Sequence, residues 1–334
     1  MEIDEQFKEY KGKRCLVTGG LGFIGSNLAI KLFQLGADVT ILDNMDPMCG
    51  GNMFNIDPIK NKVTVVVGDL CDEKTVKPLL KNTEYIFNLA GSTSHVGGEN
   101  NPLNDLRMNT QSHLTLLNLC KGSDVKIIYT GSRSQYGRTR KTPVSEDTPC
   151  KPTDINGINK LSAEMLHLLF YKNYGLQTCC LRLTNTFGPR MPMKNSSFGF
   201  VNWFVRQTID CKPITLFGDG GQLRDFSYVD DVVDVLLICM VNKNVWGEVF
   251  NVGLGIPLNV RNMAEMIVSI AKKGKVKFER WPEHRKNIEI GDYYADITKL
   301  KRFIGWDSAS FLDSSIKETL DFFKKYKKYY WSDD

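Results

Sequence analysis

Three glycines at a fixed spacing carry the first chemical signal in this chain of 334 residues. In Thr18-Gly19-Gly20-Leu21-Gly22-Phe23-Ile24-Gly25, an apolar run (Cys15, Leu16, Val17) enters a turn and then a helical pattern. Gly19 permits the tight turn out of a strand, Gly22 lets the backbone approach a pyrophosphate, and Gly25 lets the helix pack on the sheet. The pyrophosphate would sit on free N–H groups at the helix start, where Phe23 and Ile24 stand. A second apolar run, Val39-Thr40-Ile41-Leu42, ends at Asp43 and Asn44. A carboxylate at that point can accept both ribose hydroxyls and would repel a 2′-phosphate, so the cofactor expected is NAD rather than NADP.

Strand-like runs and helical patterns must alternate to place these residues, and they do. The runs are Arg14 to Val17, Asp38 to Leu42, Lys62 to Val67, Tyr85 to Leu89, Lys126 to Thr130 and Gln177 to Arg182. This rhythm predicts an α/β fold of the Rossmann type, a doubly wound parallel sheet. Such sheets bind ligands beyond the carboxyl ends of their strands. The residues to interrogate are therefore Asp69-Leu70, Ala90-Gly91-Ser92-Thr93, Gly131-Ser132-Arg133-Ser134 and Thr184-Asn185 onward. From about residue 187 glycine, proline and aromatic residues increase. We expect an NAD-binding domain over 12–186 and a smaller C-terminal α/β region over 187–330, mainly substrate-binding and interleaved with late strands of the first.

Composition narrows the class. With 42% hydrophobic and 24% charged residues the chain can bury a large core, and a net charge of +5 is too mild to imply a nucleic-acid partner. The basic tail (Lys324, Lys325, Lys327, Lys328), interleaved with Tyr326, Tyr329, Tyr330 and Trp331, reads as a solvated amphipathic C-terminal helix. Nine cysteines without a CxxC pair point to reduced thiols and a cytoplasmic address. The acidic N-terminus lacks an apolar core, and no run of 18 apolar residues occurs, so neither secretion nor a membrane span is expected. No metal site is expected.

Taken together, TGGLGFIG, Gly68-Asp69-Leu70, the NLAG at Asn88 to Gly91, Asn109-Thr110, the SRSQYG at Ser132 to Gly137, the RLTNTFGPR at Arg182 to Arg190 and the RDFSYVDDV at Arg224 to Val232 resemble the extended short-chain dehydrogenases/reductases that act on nucleotide sugars. The resemblance runs from Arg14 to Trp306. It implies a nucleotide-diphosphate sugar as substrate and places Asp69, Leu70, Leu89, Ala90, Gly91, Asn109 and Lys160 at the cofactor. It gives Ser92, Arg133 and Asn185 to the sugar nucleotide and Arg224 to its diphosphate, with Arg285, or its neighbour Lys286, as a second basic group. An arginine fork matches a diphosphate bidentately, although a salt bridge to Asp225 is the plainer role for Arg224. Asp230 and Asp231 are expected to cap a helix and complement its dipole. Relatives commonly dimerise through two long helices, for which 105–121 and 157–174 are the counterparts, so a homodimer or higher homo-oligomer is expected.

One departure outweighs the matches. The family's base is a tyrosine four residues before a lysine, and this chain has Asn156 before Lys160. Residues i and i+4 share a helix face, where the ammonium lowers the phenol's pKa. An amide can hydrogen-bond a hydroxyl but cannot take its proton near neutral pH. The stand-ins are Lys160 itself, otherwise a ribose clamp; His95, in the loop after the fourth strand, otherwise a plain hydrogen-bonded residue; and Tyr136, four residues after Ser132. Ser132 is retained and should hold the reacting oxygen. Arg133 and Ser134 stand where 4,6-dehydratases carry an acidic pair, so elimination is disfavoured. The expected function is NAD-dependent epimerisation by hydride transfer at a sugar ring carbon, C4 foremost, with tightly held cofactor, in a pathway to surface polysaccharide or glycoconjugate. The alternatives are net 4-oxidation and a catalytically weak binding protein.

Overall fold

The computed structural model describes residues 7–46, 49–194, 199–282 and 290–332. Seven strands form the central sheet: β1 Arg14–Thr18, β2 Asp38–Asp43, β3 Thr64–Val67, β4 Tyr85–Asn88, β5 Lys126–Ser132, β6 Gln177–Leu183 and β7 Val249–Val252. Their order is β7-β6-β5-β4-β1-β2-β3, and every pairing is parallel. This is the expected Rossmann-type α/β sheet. The six anticipated strands appear with ends shifted by a residue or two, and the seventh comes from late in the chain.

Successive strand residues face opposite ways, and the core divides accordingly. Cys15 and Val17 of β1 join one apolar cluster with the helices Phe23–Gln34 and Val229–Val241, whereas Leu16 joins another with Leu116, Leu117 and Phe170. A sheet covered on both faces needs continuous apolar runs, which is why β1 and β5 read as such. The strand order reverses between β1 and β4, so a crevice opens beyond their carboxyl ends.

After residue 184 the chain makes small paired strands. Asn185–Phe187 pairs with Phe226–Tyr228, Leu223–Arg224 with Leu258–Asn259, and Ile214–Phe217 with Val276–Glu279. They pack with the helices Phe200–Ile209, Val260–Ala271 and Leu312–Tyr326 around a separate apolar cluster. Asp230 and Asp231 lie in the first turn of Val229–Val241, but the residue at its cap, Tyr228, makes no capping bond, and Asp231 accepts from Ser308 instead. The expected dipole role fits this position, and the expected cap is not made.

The C-terminal tail is only half as expected. Leu312–Tyr326 is amphipathic, but beyond it Tyr330 and Trp331 are buried rather than solvated. Tyr329 stacks on Phe54 at 3.7 Å, and the Tyr330 hydroxyl donates to Asn55 Oδ1 at 2.7 Å. Asn55 in turn donates to the Leu21 carbonyl and accepts from Arg190 Nε through its own carbonyl, tying the tail to the glycine turn. Tyr330→Phe strands the buried Asn55 oxygen and is expected to cost about 1–2 kcal/mol. Chemical denaturation would show it as a lower midpoint at unchanged slope, and an unchanged midpoint would refute this account of the tail.

Candidate active site

A cleft of about 1710 Å³ lies beyond the carboxyl ends of β1, β4, β5 and β6, large enough for a dinucleotide and a second ligand together. Gly19, Gly22, Phe23, Ile24, Gly25, Asp43, Asn44, Asp69, Leu70, Leu89, Ala90, Gly91 and Lys160 all line it. The glycines are there for space. Gly19 has φ +68°, and a methyl on it would stand 2.9 Å from the Leu89 carbonyl; one on Gly25 would stand 2.2 Å from the Gly19 carbonyl. The helix Phe23–Gln34 starts at Gly22 with no side-chain cap and no acid in its first turn, so its N-terminus is open to an anion. Asp43 accepts the Leu21 and Met45 N–H groups at 3.0 and 2.8 Å, and burial raises its pKa against those bonds. Asp69 is held by Arg107 at 2.8 Å. The residues present fit NAD.

Two elements carry the residues expected at the reacting end. Ser132, the last residue of β5, starts a capping box: its N–H donates to Gln135 Oε1 at 2.8 Å, and its Oγ accepts from the Ser134 N–H at 3.2 Å. Gln135 also donates to Glu164 at 2.7 Å, and Glu164 is gripped by both sides of the Arg182 fork at 2.6 and 2.9 Å. Because Oγ already accepts a backbone hydrogen, its own hydrogen remains for a ligand oxygen. The helix Ile155–Tyr174 supplies Asn156 and Lys160, both buried at the wall. Burial pushes the Lys160 amine down to about 8, and the nearby Asp105 carboxyl opposes that shift. No hydrogen bond of Lys160 Nζ is found among the described residues. A methyl on Gly91 would stand 2.8 Å from that nitrogen and 2.6 Å from Asn109 Oδ1.

The remaining residues divide. Asn109 sits in a π-helical turn, Arg107–Gln111, behind Gly91 rather than on the cleft wall, and both polar atoms of its amide are buried with no partner among the described residues. Ser92 is also set back: its Oγ accepts from Ser94, its carbonyl accepts from Asn156, and Thr93 lines the cleft instead. Tyr136 does not reach the cleft, since its hydroxyl bonds Asn251 at 2.7 Å in the interior. His95 lines the cleft but begins a short helix, His95–Asn100, rather than lying in a loop. Its ring bonds Asp154 at 2.9 Å. Burial alone would raise the Asp154 carboxyl, and the His95 bond and charge hold it below the usual range. Arg133, Asn185 and Arg224 line the cleft, as do Phe217 and Trp281, whose rings lie 5.6 Å apart. Arg224 donates to the Leu223 and Gly291 carbonyls, and Asp225 instead accepts three backbone N–H groups, from Leu254, Gly255 and Ala295. The salt-bridge alternative for Arg224 is thereby removed. Arg285 and Lys286 lie outside the described residues.

The sequence profile of the NAD dependent epimerase/dehydratase family matches residues 15–253. The chain belongs to this family. Its cofactor is NAD, and the resemblance to the extended short-chain dehydrogenases/reductases is borne out. A UDP-glucose 4-epimerase from Thermotoga maritima, solved with UDP-glucose, is 29% identical with a TM-score of 0.85, over 94% of this chain and 99% of that one. An epimerase from Methanothermobacter thermautotrophicus is 27% identical with a TM-score of 0.90, over 98% and 96%. UDP-glucuronic acid decarboxylase 1 of Xenopus tropicalis is 29% identical over 323 residues, 94% of this chain and 72% of that protein.

Within this epimerase/dehydratase family member, sequence reasoning overlooked Asp105 and the support behind Ser132. Ser132-x-x-Gln135 is a capping-box spacing and could have been read. Glu164 and Arg182 meet only through the fold. No group of three or more potential metal ligands is found among the described residues.

Proposed function

We propose that the protein is an NAD-dependent nucleotide-sugar 4-epimerase that retains its cofactor through turnover. The observation that carries the reading is that one cleft is lined by all of these groups: the glycine floor, Ser132, Asn156 and Lys160, together with Asn185 and Arg224. NAD bound there would take a hydride from the sugar's C4 and return it to either face. Ser132 donates its hydroxyl hydrogen to the C4 oxygen and orients it. Lys160, uncharged in part near neutral pH, accepts the C4 hydroxyl proton and gives it back. Arg224 and Asn185 hold the diphosphate and nucleotide, leaving the sugar free to present either face. The division into 12–186 and 187–330 follows the same split between cofactor and substrate.

Elimination is disfavoured because Glu164, the carboxylate behind Ser132, is fully engaged by Arg182 and Gln135. Product analysis by NMR tests the outcome: a C4 epimer supports the proposal, and a keto sugar as sole product replaces it with net oxidation. The base assignment has its own signature. The ammonium form cannot accept a proton, so the rate should fall as pH drops through an apparent value near 8, given the Lys160 amine at about 8. A rate that stays level through that range would take the role from Lys160.

The helical stretch from Pro102 to Leu119 and the helix Ile155–Tyr174 lie side by side and expose Leu103, Leu106, Leu114, Ile158, Met165 and Leu169. That apolar face supports a homodimer, and sedimentation equilibrium showing only monomer would remove it. No helix among the described residues is long and apolar enough to cross a membrane. All nine cysteines are described and unpaired, which supports a reducing, cytoplasmic setting.

A further inference from the structure

Asp105 is a carboxylate 3% exposed, in the short helix Pro102–Leu106, with no arginine or lysine in hydrogen-bond contact among the described residues. It is held by two amides of the Ile155–Tyr174 helix: Oδ2 accepts from Asn156 Nδ2 at 3.0 Å and Oδ1 from Asn159 Nδ2 at 2.8 Å. Gly98 closes over it, since a methyl there would stand 3.2 Å from Oδ2. The second bond of Asn156 Nδ2 goes to the Ser92 carbonyl at 3.0 Å. Carboxylate and carbonyl only accept, so the amide orientation is fixed by its surroundings: the NH₂ group is committed inward, and Oδ1 is what remains for the cleft that Asn156 lines.

We propose that Asp105 is a positioning residue for the epimerase reaction: it locks the Asn156 amide with its oxygen available to a sugar hydroxyl, and its charge supports the protonated state of Lys160 reached in each turnover. This rests on the reading given under Proposed function. Three groups from three neighbouring elements act on or respond to Lys160. They are Asp105, the Cys49 thiol, pushed up to about 12 by burial, and His113, held well below its ordinary value by burial. The thiol and the imidazole are neutral near pH 7, so Asp105 supplies the charge.

Asp105→Asn in the NAD-loaded protein places an NH₂ against one of two donors and removes the charge. The reading is the rate of nicotinamide absorbance change with a reactive sugar nucleotide, over a pH series, with bound NAD and thermal melting followed in parallel. Expected are an acid limb moved down by about one pH unit and a KM raised about tenfold. A folded, NAD-containing variant with the wild-type limb and KM overturns the proposal, and a limb in place with only a lower rate reduces Asp105 to scaffolding. Asn156→Ala, which leaves Asp105 in position, should raise KM about tenfold with the limb unmoved. An unchanged KM in that variant overturns the proposal even if Asp105→Asn does not fold. Wild-type protein inert with every sugar nucleotide would instead refute the underlying epimerase reading.

Discussion

Lys160→Met should slow hydride transfer about 10³-fold, within the range of general-base catalysis, while the protein stays folded. Methionine is about as long as the lysine stem and apolar, and it enters a site whose burial already disfavours charge. Removing an amine that burial holds at about 8 leaves Asn156 as the other residue that the helix Ile155–Tyr174 brings to the cleft wall. Single-turnover absorbance with a reactive sugar nucleotide measures the effect apart from product release. A variant within tenfold of wild type would place the base elsewhere, with His95 next in line because it lines the same cleft and bonds Asp154. Ser132 and Asn156 cannot compensate, since a serine hydroxyl and an amide do not accept protons near pH 7.

Gly25→Ala should abolish NAD retention. The added methyl would stand 2.2 Å from the Gly19 carbonyl and 2.8 Å from Gly20 Cα, so the turn and the Phe23–Gln34 helix must separate. Overpacking of this kind costs about 1–3 kcal/mol, and it falls where the N-terminal N–H groups and the glycine floor would meet the pyrophosphate. The expected result is protein that elutes without NAD and binds it at least 100-fold more weakly by titration, an order-of-magnitude figure for a turn displaced by the volume of a methyl. Wild-type NAD content in this variant would mean that the glycine turn is not the pyrophosphate site.

The features legible in the sequence are those whose causes are local. Gly19, Gly22 and Gly25 are fixed by a turn and a helix start within eight residues, and the runs of β1, β2, β4, β5 and β6 are apolar because both faces of the sheet are covered. The seventh strand, Val249–Val252, is four residues long and acquires its identity only by pairing with β6. Side-chain direction depends on partners distant in sequence. Tyr136 sits at a spacing compatible with the cleft, yet Asn251, 115 residues away in sequence, draws its hydroxyl inward. Ser92 and Asn109 belong to motifs that touch ligands in the resemblance, and here they stand in the layer behind Thr93 and Gly91. The tail read as solvated because lysines punctuate it, while its rings find Phe54 and Asn55 across the molecule. Asn156 read as a loss. Its partners Ser92 and Asp105 lie 64 and 51 residues away and give the amide a fixed orientation that no local pattern announces.

The absorbance of freshly purified protein in the reduced-nicotinamide band, before and after addition of UDP-, GDP-, CDP- and dTDP-sugars, tests the central claim most directly. The account requires one of them to raise that absorbance, because hydride transfer proceeds with asparagine at position 156 and Lys160 as the base. If nucleotide sugars bind, the cofactor is verified as oxidised at the start and the band stays flat for all of them, the protein binds its ligands without the chemistry and the epimerase assignment is contradicted.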